Sequence, residues 1–217
     1  LGSKFQDGYY RNSVTSYRQY DFRSNIDGAI TNNISVKFDV SGRLENQSYP
    51  SMGLGSTIFG HLMRQLPYKH AWWPNGLPGP ETDIGMNAAI ECTDAPGYDR
   101  RNTYVFNSNL GLDIKIPWIK GLSFTGNASF DETFYFTKRW KVPYYLYFWD
   151  GKTYNDEGTP VLIPNKRGVS EPELSESASK DQNILLNGFV NYEKKIGRNA
   201  FKIMAGTELL EGKGNNL

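Results

Sequence analysis

Residues 20–30 read Tyr20-Asp21-Phe22-Arg23-Ser24-Asn25-Ile26-Asp27-Gly28-Ala29-Ile30. After Thr31-Asn32-Asn33 the chain continues Ile34-Ser35-Val36-Lys37-Phe38-Asp39-Val40-Ser41-Gly42-Arg43-Leu44-Glu45. In both runs the even positions are largely apolar and the odd positions carry charges or hydroxyls. A period of two is the repeat of a β-strand, whose successive side chains point to opposite faces. The intervening Thr-Asn-Asn suits a tight turn. The pattern predicts strands over 17–30 and 34–46, paired antiparallel. Ile26, Ile30, Val36 and Val40 are expected on one face. Asp21, Arg23, Asp27, Lys37, Asp39, Arg43 and Glu45 are expected on the other.

The same alternation recurs downstream. Tyr104, Phe106, Leu110, Leu112, Ile114 and Ile116 lead through a turn at 117–121 into Leu122, Phe124, Gly126, Ala128, Phe130, Phe134 and Phe136. A noisier hairpin spans 183–194 and 200–211, with Leu186, Gly188, Val190 and Tyr192 facing the same way as Phe201, Ile203, Ala205 and Leu209. Residues 1–10 read as the tail of an earlier strand. These runs are about twice the 5–6 residues usual for globular strands, and close to the 9–11 a tilted strand needs to cross a bilayer. Short links (31–33, 117–121, 195–199) alternate with long ones (47–103, 137–182). Short turns at one end and long loops at the other are the layout of an outer-membrane barrel. The fold class read from the residues is therefore all-β: long antiparallel strands in hairpins, a segment of a transmembrane β-barrel with long extracellular loops. A soluble β-sandwich also alternates and stays open as the second reading.

Composition fits either. Lys and Arg number 24 against 23 Asp and Glu, a net charge of +1, so there is no electrostatic case for a nucleic-acid partner. The longest uninterrupted apolar run, 144–149, is far too short for a membrane helix. Mean hydropathy of −0.57 looks polar, but a barrel alternating lipid-facing and lumen-facing residues is polar on average too. The single Cys92 excludes an intrachain disulfide. The chain begins on Leu1, in mid-pattern, and is read as a piece of something longer.

Candidate chemistry lies in the loops. Trp72, Trp73 and Asn75, at and within the start of a Pro/Gly-rich stretch, Pro74–Pro80, are the candidate substrate-binding residues. Their rings either stack on a ligand or form the loop's own small core. Residues 56–66 put Ile58, Leu62 and Leu66 on one helical face, ended by Pro67. The ring-rich string Tyr144-Tyr145-Leu146-Tyr147-Phe148-Trp149 is a strand extension, a loop core or a docking surface. Asp150 and the segment Tyr154-Asn155-Asp156-Glu157-Gly158 offer oxygen ligands without calcium-loop spacing. His61 and His70 lack a third ligand in register, and Cys92 lacks a base nearby in sequence. Asp131 and Glu132 are adjacent on a strand and so face opposite ways, a poor acid/base couple. The chain is read as no enzyme, with neither metal nor cofactor.

Five strings, in order, resemble one family. They are Gln6-Asp7-Gly8-Tyr9-Tyr10, the run 20–27, Val40-Ser41-Gly42-Arg43, Trp72-Trp73-Pro74-Asn75-Gly76 and Ile119-Lys120-Gly121-Leu122-Ser123-Phe124. Together they resemble the SusC/RagA family of TonB-dependent outer-membrane transporters over most of the chain, most weakly in 137–182. The resemblance implies one plugged barrel of about 22 strands. Residues 1–217 would supply about seven of those strands and no plug or TonB box. It implies a place in the cell outer membrane and import of oligosaccharides or peptides. The implied partners are outer-membrane lipid, a SusD-like surface lipoprotein, and TonB acting through regions outside this segment. Asp21, Arg23, Asp27, Lys37, Asp39 and Arg43 would then face the lumen. The alternative is a soluble β-sandwich carbohydrate-binding domain.

Overall fold

The structure, a computed structural model, describes residues 1–53, 55–82 and 85–216. In chain order the elements are β1 (Gly2–Asp7), β2 (Ser16–Thr31), β3 (Ile34–Pro50), α1 (Gly55–Met63), α2 (Ala88–Glu91), β4 (Gly97–Lys115), β5 (Leu122–Lys141), β6 (Tyr144–Phe148), β7 (Ile163–Arg167), β8 (Glu173–Ile196) and β9 (Asn199–Asn216). Seven of the strands form one antiparallel sheet in the order β1-β2-β3-β4-β5-β8-β9. The hairpin β6–β7 forms a sheet of its own within the connection between β5 and β8.

Register preserves the alternation across the sheet. Ile26 opposes Phe38, Phe38 opposes Leu110, Leu110 opposes Ala128, Ala128 opposes Leu186, and Leu186 opposes Leu209. One step along, Asp27, Lys37, Gly111, Asn127, Asn187 and Glu208 form the matching row on the other face. Ile30 departs from the expectation: the register shifts between Ala29 and Thr31, so Ile30 sits in an irregularity beside the turn. A one-residue insertion there lets the link close without disturbing the ladder.

Strands run further toward the long connections than the hydropathy pattern indicates. β3 continues to Pro50 and β4 starts at Gly97, so the loop expected over 47–103 shrinks to 51–96. Likewise β5 reaches Lys141 and β8 starts at Glu173, which shortens 137–182 to 142–172. Gln47, Ser48 and Tyr49 oppose Arg101, Arg100 and Asp99 there. Both faces are polar at that level, so the apolar signal stops while the hydrogen-bonded ladder goes on. α1 ends at Met63 rather than 66.

The apolar face lies open. Phe22, Ile26, Phe38, Tyr104, Phe106, Leu110, Leu186 and Leu209 are all exposed. Within the sheet each strand contacts its ladder neighbours, and among the described residues no second sheet covers either face. Among the described residues the buried apolar side chains Ile58, Ala88, Ile90, Cys92, Tyr144 and Leu146 all lie in the long connections. They form two clusters, Ile58, Ala88 and Cys92 with Tyr10, and Ile90, Tyr144 and Leu146 with Met52. The molecule is thus an uncored sheet with a small cored cap at one end.

Candidate functional site

The cap holds its shape through buried polar groups. Asn87 is the N-cap of α2, its Oδ1 accepting from the Ala89 amide at 3.0 Å. Its Nδ2 donates to the carbonyls of Ala71 (3.1 Å) and Gly79 (3.2 Å), clamping the two ends of 71–79. Glu91, with 0% of its surface exposed, lies with Oε2 2.6 Å from His61 Nδ1 and accepts from the Tyr144 hydroxyl at 3.1 Å. This carboxylate ties α1, α2 and β6 together, and a buried charge is tolerable only when so satisfied. Burial, reinforced by the Glu91 charge, raises the Tyr144 phenol above its ordinary value. Arg167 of β7 pairs with Glu81.

Two turns of the same build project from this cap. In the first, the Trp73 amide donates to Leu77 O, the Gly76 amide to Trp73 O, and the Gly79 amide to Ala71 O, with Trp72 bridged to Pro78. In the second, the Asn155 amide donates to Thr159 O, the Gly158 amide to Asn155 O, and the Val161 amide to Thr153 O, with Tyr154 bridged to Pro160. Gly76 (φ 82°) and Gly158 (φ 72°) occupy equivalent left-handed positions. An aromatic residue, three residues, Gly, one residue and Pro recur at 72–78 and 154–160.

Between these turns lies a cleft of about 740 Å³ lined by Trp73, Pro74 and Asn75 from the first and Thr159, Pro160 and Leu162 around the second. Tyr68, His70, Phe148 and Trp149 complete its aromatic walls. Trp73 is fixed by its indole N–H, which donates to Tyr147 O at 2.9 Å, and its ring lies 4.9 Å from His70. Trp149 donates to Thr153 O at 2.8 Å and packs edge-on to Tyr154. Asp150 accepts from Thr153 and from the Lys152 amide, and these bonds, the Thr153 hydroxyl foremost, hold its carboxyl below the ordinary pKa of an aspartate. Prefixed rings with few polar neighbours are suited to stacking on the flat faces of a ligand.

Of the residues proposed from sequence, Trp73 and Asn75 line the cleft together. Trp72 is not among its lining residues; it stands beside Pro78, partly exposed. The second turn, Phe148 and Trp149 were not in that proposal, though the shared spacing at 72–78 and 154–160 was the available clue. Tyr144 and Leu146 serve as loop core and Trp149 as cleft wall, so the ring-rich string divides between two roles. Asp21, Arg23, Asp27, Lys37, Asp39 and Arg43 share the polar face. Asp21 opposes Arg43 and Asp27 opposes Lys37, yet the ion pairs are Arg43 with Glu45 (2.7 Å) and Lys37 with Asp113 (3.9 Å). Asp131 and Glu132 fall in rows on opposite faces, beside Asn183 and Gln182 respectively. Cys92 is buried, its thiol pushed up by that burial. Among the described residues no cluster of three His, Cys, Asp or Glu gathers to hold a metal.

No family model matches the chain, and neither does any curated protein.

Proposed function

We propose that this chain is part of the wall and mouth of an outer-membrane transporter of the TonB-dependent SusC/RagA type, importing oligosaccharides or peptides with a SusD-like lipoprotein over the mouth. The observation that carries the reading is the uncovered apolar face and its height. On β4 it runs from Tyr104 to Ile114. At about 3.4 Å per residue this is roughly 34 Å of strand, and a tilt of about 45° reduces it to roughly 24 Å. The lipid-facing band of an outer-membrane barrel is about 25 Å tall. Rings gather at its loop-side limit (Tyr20, Tyr104 and Phe134 in one row) and Tyr192 and Phe201 stand near the other end.

The opposite face supports a lumen lining. Asn127 bonds Asn187, Ser129 bonds Asn109 and Thr125 bonds Asp113 across the ladder at 2.9–3.0 Å. Such a surface suits water or a hydrated domain. The cleft sits in the cap at the long-loop end, where a transporter first meets its cargo. In this reading Trp73 and Trp149 hold the substrate and the strand wall does not. A sandwich domain would need a second sheet over Phe38, Leu112 and Phe130. The test is bilayer insertion of the intact protein: a heat-modifiable, detergent-extracted membrane species is expected, and a soluble monomer refutes the proposal.

A further inference from the structure

Resting on the membrane reading above, we propose that the short-turn end of β4–β5 and β8–β9 is a docking surface for anionic phospholipid headgroups of the leaflet on that side. The cations there have no carboxylate partners. Lys120, Lys194 and Arg198 are all exposed, and among the described residues none forms an ion pair; Lys115 and Lys195 fall in rows of the polar face, opposing Ser123 and Ala200. The acids nearby are already engaged, Glu193 with Lys202 at 2.7 Å and Asp113 with Lys37 at 3.9 Å. At the loop-side ends of β5 and β8, Lys138, Lys180 and Arg139 are instead held by Glu176, Glu132 and Asp99 at 2.7–3.0 Å.

The two basic turns form one platform. β5 and β8 are ladder neighbours, Leu122 opposing Tyr192. The Glu193 amide donates to Gly121 O at 2.9 Å, and Gly121 has φ 92°. A Cβ at Gly121 would collide with the Glu193 carbonyl, so this glycine permits the close approach of the turns. Apolar side chains are interleaved with the charges. Trp118 is 81% exposed, and Ile119 and Ile196 are exposed beside Lys120 and Lys195. An indole among cations suits a membrane interface, its ring at headgroup depth and the ammonium groups reaching the phosphates. Each Lys or Arg near an anionic surface attracts it by an amount equal to about a fivefold enrichment. Charge complementarity thus names the occupant, a lipid phosphodiester with acyl chains lying on the apolar band around Phe201, Ile203 and Tyr192.

The test uses the intact protein in vesicles of phosphatidylcholine with a minor fraction of phosphatidylglycerol. Either lipid carries brominated chains that quench nearby indoles. The quenching lost in W118F isolates Trp118 and reports the lipid composition around it. Phosphatidylglycerol at Trp118 is expected to exceed its bulk fraction by about fivefold or more. In K120Q/K194Q/R198Q the local composition should fall to the bulk value, with heat-modifiable folding intact. Raising salt on the wild type should shrink the enrichment, a check that holds even if the triple variant folds poorly. Bulk composition at Trp118 in the wild type, or enrichment unchanged by salt or by the three substitutions, overturns the site. Displacement by added glycerol phosphate would show that the turns take a free anion and also overturns it. A protein that does not float with the vesicles refutes the membrane reading itself, whereas one that floats without lipid preference refutes only the docking surface.

Discussion

Leu110 and Asn109 are neighbours on β4 that face opposite ways, and one substitution at each separates lipid from lumen. The apolar set on this strand runs from Tyr104 to Ile114, so its midpoint falls at position 109 and Leu110 is the apolar side chain nearest to it. Leu110 is 47% exposed, with Phe38 and Ala128 beside it in the ladder. Under the proposed membrane reading, Leu110→Arg places a guanidinium near the bilayer midplane, at a cost of about 2–4 kcal/mol. That is roughly a 30- to 700-fold loss in the folding equilibrium constant. Asn109→Arg enters the polar face, where Ser129 now donates to Asn109 at 3.0 Å. It loses one hydrogen bond, costing about 1 kcal/mol. Folding into bilayers of the intact protein, titrated with urea and followed by heat-modifiable mobility, measures both. Equal losses for the two variants, or a larger loss for Asn109→Arg, would refute the facing assignment.

Three further outcomes are expected. Trp73→Ala with Trp149→Ala should weaken cargo binding by about tenfold or more, with the barrel folded, while Trp72→Ala has a much smaller effect because Trp72 lies outside the cleft lining. Unchanged affinity in the double variant rejects the cleft as the contact site. Glu91→Ala strands His61 and the Tyr144 hydroxyl and should destabilise the cap by about 1–3 kcal/mol, seen as faster protease cleavage within 142–172 and unaltered strand spectra. The Tyr144 phenol is raised from 10.0 in the folded cap, so its stabilisation is complete below about pH 10 and is lost as pH rises beyond it. Cleavage within 142–172 should therefore quicken above about pH 10, and Tyr144→Phe should flatten that dependence.

What was legible in the sequence was the part governed by period two. The pairing of 17–30 with 34–46 follows from it. So does the face shared by Leu186, Gly188, Val190 and Tyr192 with Leu209, Ala205 and Ile203 across β8 and β9. Where both faces turn polar, as at Gln47–Arg101 and Ser48–Arg100, alternation carries no signal although pairing persists. The cap was less readable because its contacts are distant in sequence. Glu91 meets His61 and Tyr144 from separate connections, and Trp73 is anchored on Tyr147. Of the cleft, Trp73 and Asn75 stood out as an exposed-looking aromatic turn. Their counterpart at 154–160 was masked because Tyr154-Asn155-Asp156-Glu157-Gly158 reads first as a string of oxygen ligands. A repeat of bonding geometry is plain in coordinates and faint in residues that share only an aromatic ring, Gly and Pro.

The central claim is that the apolar face of the sheet, even-numbered on β4, meets lipid. Single nitroxide labels at successive positions from 104 to 114 on β4, with buried Cys92 replaced by Ser, test it in bilayers of the intact protein. Collision with oxygen, which concentrates in lipid, should peak at 104, 106, 108, 110, 112 and 114. Collision with a water-soluble nickel chelate should be least there. Even positions shielded from both reagents would mean that another protein layer covers this face, and the account would be wrong.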